Sequence, residues 1–157
     1  YLVGGAVTSD AYHITAPDPE GSGAARAVHA ALAQAEAKPE DVVHINAHAT
    51  STPVGDVAEY AALRRVFGDL LDNIPISATK ASTGHLLGGA GAIEALFTVM
   101  ALHTNTAPPT INTKDIDPEV KIDLVTEPRA IGSGVAISNS FGFGGHNAVA
   151  AFRTYES

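Results

Sequence analysis

The chain has 157 residues, the size of one domain, and no cysteine, which excludes a disulfide framework, a thiolate metal site and a cysteine nucleophile within it. Nine basic against 17 acidic residues give a net charge of −8, and a nucleic-acid surface would need clustered cations instead. Charged residues are only 17% of the chain, below the roughly 25% of an average globular protein, which fits either a compact, Ala-rich protein or a chain much of whose surface faces other protein.

The chain opens on Tyr1-Leu2-Val3, already apolar, with no basic-then-apolar leader, and is expected to begin inside a structural element as a fragment would. No repeat of solenoid period and no low-complexity block appears. Residues 2–7 read as a strand. Ser22 is a plausible N-cap for a helix through Glu36, with Ala24, Val28, Leu32 and Ala35 near helical spacing. Residues 42–46 are β-branched and short, hence a strand. Thr52-Pro53 opens a second helix striped by Tyr60, Leu63 and Phe67 and closed by Gly68. Residues 74–78 form another strand, and residues 85–102 a long helix that is apolar on nearly every side with Glu94 in its middle. Its glycines, Glu94 and flanking His make a membrane span a poor fit, and a helix buried between two protein layers a better one. After Pro108-Pro109 come an extended segment, a turn at 115–118, a strand over 120–125 and two paired strands, 134–138 and 148–152. The alternation of strands and helices points to an α/β layered domain.

Three constellations carry the chemistry. In the first, Asn46-Ala47-His48-Ala49-Thr50-Ser51-Thr52-Pro53-Val54-Gly55-Asp56 runs from a strand end into a helix start, where reacting groups collect in α/β sheets. A neutral His48 can donate a hydrogen bond there, or the loop merely caps its helix. His44 and His48 are four apart, but they lie on a strand and lack a partner Glu, so zinc is not expected. In the second, Lys80 follows a strand, and His85 stands at the mouth of the long helix, whose dipole together with Lys80 would keep the imidazole uncharged. Glu94 needs a cation in so apolar a helix, and Lys80 is the obvious partner, as a structural or a functional pair. In the third, Gly142-Phe143-Gly144-Gly145 lies in a loop expected over 139–147. It matches neither the dinucleotide nor the phosphate-loop pattern, and is either a bland bend or a loop whose N–H groups serve an oxyanion while Phe143 swings.

Together, Asn46-Ala47-His48 with Thr50-Ser51-Thr52-Pro53, then Thr79-Lys80 with Gly84-His85-Leu86-Leu87-Gly88, then Asn139-Ser140-Phe141-Gly142-Phe143-Gly144-Gly145 resemble the β-ketoacyl-acyl-carrier-protein synthases, nearest to the type II elongating enzymes. Residues 8–13 and 108–112 resemble the same family, so the likeness covers essentially all of residues 1–157, as the C-terminal domain. The resemblance implies the C-terminal half of a thiolase fold: an α/β unit with a mixed five-stranded sheet and helices on both faces, within a five-layered sandwich. The nucleophilic Cys would lie in the absent N-terminal half, and this chain alone would be inactive. The implied reaction is a decarboxylative Claisen condensation of malonyl-carrier protein with an acyl thioester, in fatty-acid elongation.

By the same resemblance, His48 and His85 would polarise the malonyl thioester carbonyl, Lys80 and Glu94 would hold the local charge balance, and Phe143 would gate the site. Thr50, Thr52, Gly142 and Gly144 would line the approach of the carrier's phosphopantetheine arm. A structural monovalent cation would sit near Asn46, Glu94, Ser138 and Asn139, and no other cofactor would be required. Acyl-carrier protein, the N-terminal half and a second copy in a cytoplasmic homodimer are the implied partners, with carrier-docking cations mostly outside this chain, whose only adjacent pair is Arg64-Arg65. The chain departs from the common pattern at Ala49 (usually Gly), Gly89 (Ala) and His146 (Thr). Two other functions compete: a non-catalytic chain-length partner, expected to lose catalytic residues this chain keeps, and a thiolase-like enzyme, expected to carry a second Cys this chain lacks.

Overall fold

The protein is described by a computed structural model over residues 1–154. Eight strands are present among them: β1 (Leu2–Ser9), β2 (Val42–Asn46), β3 (Pro75–Ser77), β4 (Thr106–Ala107), β5 (Asp123–Leu124), β6 (Arg129–Ala130), β7 (Val135–Gly142) and β8 (His146–Arg153). The helices are α1 (Ser22–Gln34), α2 (Gly55–Phe67), α3 (Lys80–Thr83) and α4 (Ala90–Thr104). One sheet runs β1-β8-β7-β2-β3-β5, and β4 pairs with β6 apart from it. The β1–β8 and β8–β7 pairs are antiparallel; β7–β2, β2–β3 and β3–β5 are parallel. The sheet is mixed, as expected, but it has six strands rather than five. The extra one is two residues of the expected 120–125 strand, which add to the edge beside β3.

Helices α1 and α2 cover one face. Ala27, Val28 and Ala31 of α1 are fully buried, against a core that includes Ile45, Ile137, Val149 and Leu71. The alanines let α1 lie very close to β1: a Cβ on Gly4 would collide with the Ala31 carbonyl. On the other face, Leu102 of α4 packs with Ala136 and Phe152.

Several local expectations change. The α1 cap is not Ser22: Gly21 takes the cap position with φ 62, and the Asp18 carboxylate accepts the backbone N–H of Glu20 and of Ser22. Helix α2 begins at Gly55, and no side chain caps it. Thr52 therefore does not act as N-cap, and its hydroxyl instead meets that of Thr50 at 3.2 Å. The loop expected over 139–147 shrinks to Phe143–Gly145, because the β7–β8 ladder runs on to Gly142 and His146. The long helix starts at Ala90, five residues beyond His85, so His85 does not open it as expected.

Residues 87–104 are long and apolar enough to cross a membrane, yet Glu94, Thr98, Ala101 and Leu102 of α4 are buried on the spacing of one helical stripe. The opposite side is bare: Leu96, Val99 and Met100 are exposed. The expected burial between two layers is met by one layer within this chain.

Buried His44 on β2 gives the fold an acid limit. Ser77 Oγ donates to the Pro108 carbonyl at 2.6 Å, so it accepts from His44 Nε2 at 2.9 Å, and His44 Nδ1 is buried without a partner among the described residues. Burial lowers this imidazole from 6.5 to about 4. The unfolded chain takes up the proton first, so the contribution of His44 is intact above pH 6.5 and is lost as pH falls toward 4. That window is worth about 3 kcal/mol. A His44→Phe variant, compared with the unsubstituted protein by urea unfolding from pH 7 to pH 4, should lack this part of the acid slope; equal slopes would contradict it.

Candidate active site

Strands β2, β3 and β7 are parallel, so their C-terminal ends share one edge of the sheet. Each feeds one of the three constellations: β2 leads to His48, β3 to Lys80 and His85, and β7 to Phe143. The sequence motifs converge because the sheet brings their strand ends together.

The rings of His48 and His85 lie 5.7 Å apart, edge to face at 86°. Both line one cavity of about 710 Å³, with Thr50, Thr52, Gly142 and Phe143 among its other walls. The Phe141 ring stands 5.9 Å from His48, and Phe143 is 75% exposed at the rim. Burial, reinforced by the charges of Lys80 and His85, drops His48 to about 3, so its imidazole is neutral at physiological pH. His85 is exposed, and its Nδ1 accepts the Leu87 N–H at 3.1 Å, which leaves Nε2 as the donor in the neutral ring.

Lys80 and Glu94 form the expected pair, Nζ to Oε1, with both side chains buried. Burial raises the Glu94 carboxyl while Lys80 opposes the rise. Of the four residues expected around a cation, Asn46 and Ser138 are register partners on β2 and β7. The Asn46 side chain accepts from Thr79 and donates to the Glu94 carbonyl. Glu94 Oε2 and Asn139 Oδ1 are buried oxygens without partners among the described residues. Gly144 does not line the cavity; its N–H donates to the Ile14 carbonyl at 2.8 Å and is not available to an oxyanion.

Glu59 was not anticipated and organises the site. Fully inside the protein, its carboxylate accepts the N–H of His48 at 2.9 Å, that of Ala49 at 2.8 Å and Asn139 Nδ2 at 3.0 Å. It ties the His48 loop to β7. Burial raises its pKa and these three bonds lower it. They hold Ala49 at φ 34, a conformation disfavoured for a residue with a Cβ, at the position where glycine was the expected residue. The signal was present in the sequence: Glu59, Ala62, Leu63 and Val66 share the buried stripe of α2, so an acid sits on an apolar face. The strap of residues 10–18 was also missed. It reaches the Gly-rich turn through the Ile14 carbonyl and through Asp10 N–H to the Gly145 carbonyl at 2.8 Å.

The chain is similar to known proteins along nearly its whole length. Residues 1–114 match the β-ketoacyl synthase, C-terminal domain family. The chain is 54% identical over 156 residues to "3-oxoacyl-[acyl-carrier-protein] synthase 2" of Synechocystis sp., and 47% over 157 residues to the protein of that name from Staphylococcus aureus, covering 99% of this chain in each case. It spans 38% of the length of those relatives. A solved type II PKS acyl-carrier protein in complex with its ketosynthase superposes with a TM-score of 0.95 at 33% identity, over 99% of this chain and 38% of that one. The fold is the α/β thiolase fold, with helices on both faces of a mixed sheet. Sequence match and strand-end chemistry agree on one assignment: this chain belongs to the β-ketoacyl synthases, as their C-terminal domain.

Proposed function

We propose that this chain is the enolate-stabilising half of a 3-oxoacyl-acyl-carrier-protein synthase, completed by polypeptide that carries the nucleophilic Cys. One observation carries the reading: two imidazoles, delivered by different loops, stand 5.7 Å apart in one cavity. The Cys sulfur attacks the acyl thioester carbonyl, forming a C–S bond and releasing the carrier's thiol. Malonyl-carrier then enters, its carbon–carboxylate bond breaks, carbon dioxide leaves, and the electron pair moves onto the thioester oxygen. His48 and His85 donate hydrogen bonds to that oxygen. Donors placed in advance need no reorganisation as its charge develops. The enolate carbon attacks the acyl-enzyme carbonyl, the new C–C bond forms, and the Cys thiolate departs.

Lys80, Glu94 and Phe143 take supporting roles in this reading: the ion pair fixes the charge beside His48, and Phe143 gates the cavity. Thr50, Thr52 and Gly142 line the route of the phosphopantetheine arm. A monovalent cation would take the unpartnered Glu94 Oε2, with Asn46 and Ser138 beside it, and supply positive charge there; the Asn139 side chain turns to Glu59 on the other face of the sheet and would not hold it. The bare side of α4 is the natural seat of the Cys-bearing half, since Leu96, Val99 and Met100 are exposed on an otherwise packed helix. A cytoplasmic homodimer acting with acyl-carrier protein completes the proposal.

The test compares the synthase containing this chain with the 157-residue chain alone. Given acyl- and malonyl-carrier protein, the synthase should yield 3-oxoacyl-carrier and carbon dioxide, and the isolated chain no condensation product. Turnover by the isolated chain, or none by the synthase, would overturn the reading.

A further inference from the structure

One cavity-lining side chain is used neither by the fold nor by decarboxylation. His146 opens β8, is exposed, and lines the cavity three residues beyond Phe143. Its ring makes no hydrogen bond or ion pair among the described residues. It has a defined place: a methyl group on Gly144 would sit 3.3 Å from its Cδ2 and 3.4 Å from its Nε2, so the ring edge stands over the Gly144 turn, whose φ is 76°. Its backbone is in register with Gly142 on β7 and Ser9 on β1, so a ladder on both sides anchors it.

The polar groups around it are already committed. Asn147 Nδ2 donates to Asp10 Oδ1 at 3.2 Å and to the Gly145 carbonyl at 3.1 Å. Gly144 N–H is held by Ile14 and Asp10 N–H by Gly145. Asp10, Asp18 and Glu59 all line this cavity, and none of its lining residues is Lys or Arg. An anionic ligand entering it therefore meets three carboxylates, of which Glu59 is already bonded to His48, Ala49 and Asn139, neutral hydroxyls such as Thr15, and one basic side chain apart from the His48–His85 pair. The hydroxyls suit the amides of an extended arm; an anion calls for a donor that can carry charge.

We propose that His146 is a substrate-binding residue whose imidazole donates a hydrogen bond to the phosphate of the phosphopantetheine arm while the thioester lies at His48 and His85. The inference rests on the condensing reading above. A rigid strand end beside the gate suits this role, because the phosphate contact and Phe143 then share one hairpin.

The test uses the whole synthase and two malonyl thioesters, of phosphopantetheine and of pantetheine, which differ by the phosphate alone. The quantity read is the ratio of their kcat/KM values for decarboxylation. A charge-assisted contact predicts a preference for the phosphorylated arm of about tenfold. His146→Ala should bring the ratio close to unity, and His146→Lys should keep it. An unchanged ratio in His146→Ala, with both thioesters turned over, overturns the His146 assignment alone. Turnover of neither thioester by the unsubstituted synthase overturns the condensing reading and this inference with it. Should the Ala variant fail to fold, the His146 Cε1–H resonance of the unsubstituted protein decides: a shift with phosphopantetheine and none with pantetheine supports the contact, and equal or absent shifts overturn it.

Discussion

Replacing His48 by Ala in the whole synthase should slow malonyl decarboxylation by roughly 10²–10³-fold, or about 2.7–4 kcal/mol of barrier, the usual cost of one preorganised oxyanion donor. The size follows from the environment. His48 is half-buried, its backbone N–H is fixed by Glu59, and its ring is braced by His85 and Phe141. The donor is therefore aimed before substrate arrives. With His48 lowered to about 3, its neutral form persists between pH 8 and pH 5, so His48 adds no acid limb to the decarboxylation rate in that range. An imidazole that became cationic in that range, and a stronger donor with it, would instead make the rate rise on acidification. Acyl transfer to the Cys precedes enolate formation and should be far less affected, which separates loss of the donor from loss of the fold. A near-normal decarboxylation rate in His48→Ala would remove the central role given to this residue.

Much of this was legible in the residues, and what was not has physical reasons. The strand β2 and the helices α1 and α2 announce themselves by a β-branched run and apolar stripes. The pairing of Lys80 with Glu94 followed from a lone acid in an apolar helix, without any knowledge of the fold. Element ends were less readable. The sequence offers Ser22 and Thr52 as caps, yet Asp18 reaches forward to cap α1 and no side chain caps α2, because cap choice depends on where the chain arrives from. The Gly-rich loop read as nine residues because serine, asparagine and glycine are weak strand formers; the ladder to β8 overrides that preference up to Gly142. Glu59 went unread although its spacing was visible, since what makes it functional is the turn of residues 48 and 49 back over α2, a tertiary contact.

Glu94→Ala should cost about 3–5 kcal/mol of stability, because it leaves the Lys80 ammonium buried without its counter-charge. Lys80→Ala strands the carboxylate instead. Burial already pushes that carboxyl upward and Lys80 restrains it, so without Lys80 it takes a proton more readily and part of the penalty is relieved. The ordering Glu94→Ala worse than Lys80→Ala is therefore expected in urea unfolding at neutral pH. The double change Lys80→Met with Glu94→Leu removes both charges and fills the space, and a buried ion pair so replaced is often neutral in stability or better. Decarboxylation separates the two roles open to this pair. Lys80 lies close enough to His48 to lower its pKa, so a double variant that regains stability should still be slow if the charge serves the chemistry. Full recovery of both stability and rate would make the pair structural only. Single-variant losses below about 1 kcal/mol would mean that the pair is solvated and does not behave as a buried one.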